Sequence, residues 1–256
     1  MPIPKIIHYV WLGRGRVPLP KEDQEYIEGW QKLNPDFEIK HWDERNVDYS
    51  KYPLVEKALK EKRWALASDI IRMIVMYEYG GIYLDTDIEL LKPLNDFTKY
   101  KGFACWESKY WFTTAAFGAE KHSPWIAKIL KRYELANKNQ KISTETFLKT
   151  VHSPSVYAED IYHIELDGKT KIYGNNEFAT FASDYFCPKH YMTGDINVTK
   201  NTVAIHHYAS TWHTRSEKIK NDIARTCYKI AGAKGYERLE KRYHARLEKK
   251  IRKELP

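Results

Sequence analysis

The chain has 256 residues, with 42 Lys and Arg against 34 Asp and Glu, 43% apolar and 30% charged residues. That composition excludes a globally disordered chain, and the length can bury a core without covalent staples. Three widely spaced cysteines (Cys105, Cys187, Cys227) with no Cys-x-x-Cys pair argue against a disulfide framework or structural zinc and fit a reducing compartment.

In chain order, Ile3–Val10 is apolar and β-branched and predicts a first strand ending at Trp11-Leu12-Gly13. A Gly/Pro loop follows, then a helix over Lys21–Leu33, a turn at Asn34-Pro35-Asp36, and a strand over Phe37–Trp42. Pro53 opens a helix to about Lys60, and the strongly apolar Trp64–Tyr79 predicts another, stopped by Gly80-Gly81. Ile82-Tyr83-Leu84 then leads as a strand into Asp85. This alternation predicts an α/β layer with a mainly parallel sheet. Further on, Lys101–Gly118 reads as strand-rich, Ser123–Asn137 and Thr144–Val151 as helical, and 161–172 and Thr202–Tyr208 as strands. The aromatic stretch around Trp106-Glu107 and Tyr110-Trp111-Phe112 reads equally as sugar-stacking walls or as core rings.

The positive charge is concentrated at one end. Glu217–Pro256 carries 13 Lys and Arg against 6 acids, while residues 1–216 carry 29 against 28. Two helical stripes run through this tail: Ile219, Ile223, Cys227 and Ile230, then, after Gly-Ala-Lys-Gly, Tyr236, Leu239, Tyr243, Leu247 and Ile251. A basic amphipathic helix suits an anionic membrane surface, or it packs on its own body or a second subunit. The longest apolar segment, near Ile70–Leu84, is interrupted by Arg72, Glu78 and two glycines, so no membrane span is expected. The N-terminus has no basic region followed by a long apolar one, so the expected location is cytoplasmic, peripheral on the inner membrane face if the tail docks there.

Four pieces carry chemistry. In Asp85-Thr86-Asp87 the two carboxylates lie two residues apart on extended chain and so point to one side, where they can converge on a cation at the end of a strand. Asp69 and Arg72, with Ser68, share a face of the apolar helix; Arg72 can fork to phosphate and Asp69 can accept from sugar hydroxyls. Trp11 at the first strand's end is either core or a platform for a nucleobase. His206 and His207 follow an apolar strand; adjacent residues point to opposite sides, so one imidazole at most joins a shared metal, and Mn²⁺ accepts such a nitrogen.

Taken together, the segments Ile3–Gly13, Ala67–Arg72, Tyr79–Asp87 and His206–Trp212 resemble the DXD-motif glycosyltransferases of family 32, and more distantly the catalytic domain of the large clostridial glucosylating toxins. The resemblance implies a GT-A, Rossmann-like nucleotide-sugar-binding domain over residues 1–216, with 217–256 as a basic helical extension that it does not cover. It implies a nucleotide-sugar donor, UDP-linked by preference, and a divalent cation, Mn²⁺ or else Mg²⁺. It also implies transfer with retention to a glycan or glycolipid acceptor in bacterial surface polysaccharide synthesis, either by a double displacement through a carboxylate, for which no residue stands out, or by the favoured front-face route, which needs no protein nucleophile. By position, Trp11 stacks on the base, Ser68, Asp69 and Arg72 hold ribose, sugar or phosphate, and Tyr83 lines the nucleotide site. Asp87 binds the metal directly, Asp85 assists through water or the sugar, and His207 completes the shell. Ser210 and Trp212 grip the diphosphate; Thr211 stands where the family commonly has the serine, so either hydroxyl can serve. Asp85, Asp87 and Arg72 form the catalytic set. The competing readings are a toxin-type protein-modifying transferase and a non-catalytic basic module on a membrane or nucleic acid; the acidic Asp85/Asp87 pair argues against nucleic acid.

Overall fold

The computed structural model describes residues 2–13, 15–138, 154–209 and 215–254. Strand β1 (Ile6–Val10) lies between β2 (Glu38–Trp42) and β3 (Gly81–Leu84) and runs parallel to both. Helix α1 (Lys21–Leu33) connects the first pair, and α2 (Pro53–Lys60) and α3 (Trp64–Tyr79) connect β2 to β3, since parallel neighbours need a long crossover. All three helices keep the bounds that periodicity and the Pro and Gly punctuation predict.

Beyond β3 the sheet becomes mixed. After β4 (Ile88–Leu90) come β5 (Gly102–Trp106) and β6 (Phe112–Ala119), a hairpin closed by Glu107 N–H donating to the Trp111 carbonyl at 2.8 Å. Strand β6 is antiparallel to both β3 and β5. With β7 (Lys171–Tyr173) and β8 (Phe178–Phe181) the order is β2-β1-β3-β6-β5-β8-β7, with β8 parallel to β5 and β7 antiparallel at the edge. The parallel expectation therefore holds for the first three strands; beyond them hairpins join β5 to β6 and β7 to β8 antiparallel, while β8 lies parallel to β5.

One predicted strand is corrected. Over 161–172 only the last residues pair: Ile161 ends helix α5 (Pro154–Tyr162), and Ile164 and Leu166 reach the core from a loop that turns at Gly168. Strand β8 and the short α6 (Ser183–Phe186) were not foreseen. Helix α4 (Pro124–Lys138) matches its prediction, whereas Thr144–Val151 lies outside the described residues.

Apolar cores lie on both sheet faces, and side chains alternate between them: Ile82 and Leu84 pack with Trp30 of α1, Tyr83 with α3. Helix α3 buries ten of its sixteen residues. It ends at Gly80, at φ 65°, and Gly81, at φ 114°, where a Cβ would sit 2.7 Å from the Ile6 carbonyl oxygen and 2.8 Å from His8 Nε2. Only glycine lets β3 leave the helix this close to β1.

His8 ties that junction together. Its Nδ1 accepts from Trp42 Nε1 at 2.8 Å and its Nε2–H donates to the Gly80 carbonyl at 2.7 Å, so the neutral ring uses both nitrogens. Burial lowers its pKa from 6.5 to about 4. Between those values the unfolded chain takes up a proton that the folded one refuses, so His8's full contribution is present above about pH 6.5 and is lost as pH falls toward 4. The linkage amounts to about 3 kcal/mol. Thermal melts of wild type should lose stability over that window, and His8→Gln should flatten that loss; equal pH slopes would refute the assignment.

The tail forms a helical run, α7 (Arg215–Glu254), broken at Gly232. Its second half packs on the body: His244 and Leu247 are buried, Trp111 lies 4.8 Å from the His244 ring, and Lys109 pairs with Glu237 at 2.7 Å. The first half leaves Ile219, Ile223 and Ile230 exposed. Among the described residues, no helix is long and apolar enough to cross a membrane.

Candidate active site

Asp85 follows β3, held by its N–H to the Ala115 carbonyl at 2.8 Å. Its Oδ1 accepts from the Tyr83 hydroxyl at 2.9 Å, the residue two before it on the same face, and pairs with Arg72 at 3.3 Å. Thr86 turns the other way and donates to buried Asp23 at 2.6 Å. Asp87 comes back to the Asp85 side, accepting from the Ala209 N–H at 2.7 Å.

The third member comes from a second small sheet, β4 paired antiparallel with β9 (Ala204–His206). This pairing places His206 opposite Ile88, one residue past Asp87, with its Nε2 3.5 Å from Asp87 Oδ1. Ligand atoms of Asp85, Asp87 and His206 all lie within 4.8 Å of one another. His207, expected to complete the metal shell, points away: it bonds Glu89 at 2.9 Å and stacks on Tyr26 with ring centroids 5.0 Å apart. Alternation along β9 is the reason, and His206 takes the place assigned to His207.

The charges are arranged around this cluster. Burial pushes the Asp85 carboxyl up, and the neighbouring Asp87 charge adds to that, against the pull of Arg72. Asp87 is also buried, yet its pKa is lowered by His206 and by the Ala209 N–H. Burial opposes protonation of His206, but Asp87 outweighs it and raises its pKa. Two carboxylates and one imidazole form a donor set that suits a divalent cation of the Mn²⁺ type.

Arg72, expected to hold phosphate, is engaged by partners within the protein. It is buried, with its guanidinium spread among Asp69 at 3.0 Å, Asp85 at 3.3 Å and the Thr114 carbonyl at 2.7 Å, and it lies 4.8 Å from the Tyr83 ring centroid. Those acidic partners raise its pKa despite burial. Tyr83 is buried as well, so it aims Asp85 rather than lining an open nucleotide site. The Ser68 hydroxyl donates to the Ala65 carbonyl within its own helix at 2.9 Å. Asp69 pairs with Arg72 at 3.0 Å.

Trp11, expected to stack on a base, is only 6% exposed, and its Nε1 donates to the Val17 carbonyl at 2.8 Å, closing the 13–17 loop over it. Ser210, Thr211 and Trp212 lie outside the described residues. Tyr208 and Glu107 were not assigned to this site from the sequence. Tyr208 has φ 56°, an uncommon value for a non-glycine residue, and its ring lies 3.9 Å from that of His206. A positive φ leaves no trace in composition or periodicity.

Residues 20–104 match the glycosyltransferase sugar-binding region containing DXD motif. The chain is 34% identical over 100 residues to an uncharacterized glycosyltransferase of Acanthamoeba polyphaga mimivirus, covering 37% of this chain and 39% of the relative. It is 26% identical over 147 residues to inositol phosphoceramide mannosyltransferase 3 of Schizosaccharomyces pombe, covering 50% and 36%. The chain thus spans well under half the length of these relatives. Among solved structures, the PaToxG glycosyltransferase superposes with a TM-score of 0.51 at 22% identity, covering 63% of this chain and 69% of that one. The mixed α/β sheet is that of the GT-A glycosyltransferases. Residues 20–104, which match the sugar-binding region with its DXD motif, carry Asp69, Arg72, Asp85 and Asp87.

Proposed function

We propose that the chain is a metal-dependent, retaining glycosyltransferase. It moves a hexose from a nucleotide-sugar, UDP-linked by preference, to a glycan acceptor carried on a lipid, in the synthesis of a surface polysaccharide. The observation that carries this reading is the convergence of Asp85 and Asp87, inside the matched region, with His206 from the distant strand β9.

A divalent cation, when bound, neutralises the charge that develops on the departing diphosphate. The chain's own residues provide the frame. Tyr83 and Arg72 fix the direction of Asp85, and the Ala209 N–H fixes Asp87. In the front-face route the acceptor hydroxyl adds to the anomeric carbon from the side the diphosphate leaves, and its proton passes to the leaving phosphate.

Nucleotide release from UDP-glucose, UDP-galactose, UDP-N-acetylglucosamine and GDP-mannose tests the proposal. One donor should be turned over with Mn²⁺, stop with EDTA and resume when Mn²⁺ is restored. Failure of every donor with Mn²⁺ present would overturn it.

A further inference from the structure

Beside the DXD cluster lies a cavity of about 790 Å³, bounded by α7, the end of β5 and the 183–197 segment. Its volume is within the roughly 300–1,000 Å³ of small-molecule sites. It adjoins the metal cluster through a chain of rings: the His206 and Tyr208 ring centroids are 3.9 Å apart in a tilted pair, and Tyr208 meets Tyr191 of the cavity wall edge-on at 5.1 Å. The cavity therefore lies next to the candidate metal cluster.

Besides Lys189 and the apolar Pro188, Met192 and Leu239, the lining carries two kinds of group that recognise ligands. Flat rings come from the tail helix, with Tyr228 and Tyr236 5.3 Å apart and Tyr243 6.0 Å from Trp111. Carboxylates come from both sides: Glu107, Asp184, Asp195, Glu237 and Glu240. Some are already engaged, Glu237 with Lys109 and Asp184 with Thr199 and Asn201. Glu107 is reached by solvent yet crowded by protein, and burial raises its pKa, as it does that of Glu240. A register shift between Ala104 and Trp106 lies just before Glu107, and such bulges re-aim side chains beside active sites.

The lining excludes most ligand classes. An acyl chain has no use for five carboxylates, and desolvating them against it is costly. A phosphate or nucleotide is disfavoured because the carboxylates outnumber the lining cation Lys189, which is turned to the His207 carbonyl at 2.7 Å. A neutral sugar has an apolar C–H face for the rings and a rim of hydroxyls that donate to carboxylates.

We propose that this cavity is the acceptor cleft, that it takes a neutral, hydroxyl-rich oligosaccharide, and that the tail helix supplies its stacking wall while Glu107 receives the hydroxyl nearest the transfer site. The proposal rests on the transferase reading above and gives α7 a role in substrate selection.

Saturation-transfer NMR on the full chain with lactose, maltose, cellobiose and mannobiose tests the cleft, with donor turnover measured in parallel. At least one sugar should bind wild type. Tyr236→Ala should weaken it at least tenfold, and Tyr236→Phe, which keeps the ring, should restore it. Asp87→Ala should lose Mn²⁺ and keep the sugar, separating the cleft from the metal site. Absence of sugar binding to wild type, unchanged binding in Tyr236→Ala, or displacement of the sugar by dodecanoate would overturn the cleft. Tyr236-dependent sugar binding in a chain that turns over no donor would overturn its acceptor role along with the transferase reading.

Discussion

Asp87→Ala is expected to lower donor turnover by about 10²–10³-fold, the usual loss when a group that stabilises charge in the transition state is removed. Asp87 serves three neighbours at once. It is one of three converging donors, it receives the Ala209 N–H at 2.7 Å, and it faces His206 at 3.5 Å. Deleting its carboxylate removes a metal ligand and releases the chain that carries Tyr208. Calorimetric Mn²⁺ titration should follow the same order. His206→Asn should weaken binding at least tenfold, while His207→Asn, which touches only the Glu89 and Tyr26 side, should leave it unchanged. The opposite ranking of the two histidines would return the ligand to His207.

Arg72→Met should destabilise the fold by about 3 kcal/mol, because removing one partner of a buried ionic network leaves the others uncompensated. The guanidinium is nearly inaccessible, and its removal strands Asp69, Asp85 and the Thr114 carbonyl together. For a chain of this size the shift in Tm is roughly 8 °C. Turnover should fall as well, since Asp85 loses one of the two groups that aim it. In urea denaturation, Arg72→Met/Asp85→Asn should be more stable than Arg72→Met alone, the signature of direct coupling. A variant that melts like wild type would show that Arg72 is not the structural cation of the site.

The two halves of this site differ in how far the sequence discloses them. Asp85 and Asp87 could be paired from the sequence because a two-residue spacing on extended chain needs no tertiary information. The bounds of α1, α2 and α3 were legible for a similar reason: Pro53 and Gly80 punctuate a strong periodicity. Choosing between His206 and His207 required the register of β9 on β4, a pairing between distant segments that neither strand encodes alone. Arg72 sits in a run of apolar residues, and a charge there must either open to a cleft or find buried partners. Which it does depends on Asp85 and Thr114, whose approach follows from the β3–β6 pairing. Trp11 shows the same limit, for its ring is capped by a carbonyl six residues away in a loop without periodic signal.

The small β4–β9 sheet has a consequence for biosynthesis. The amide that steadies Asp87 lies 122 residues further along the chain. While the ribosome is still making the middle of the protein, the first half can assemble its three parallel strands, but the cation pocket has only its two acids. On the proposed metal dependence, ion capture waits until the second half has been made and folded back, and a bound ion would then tie Asp85 and Asp87 to the later-made His206.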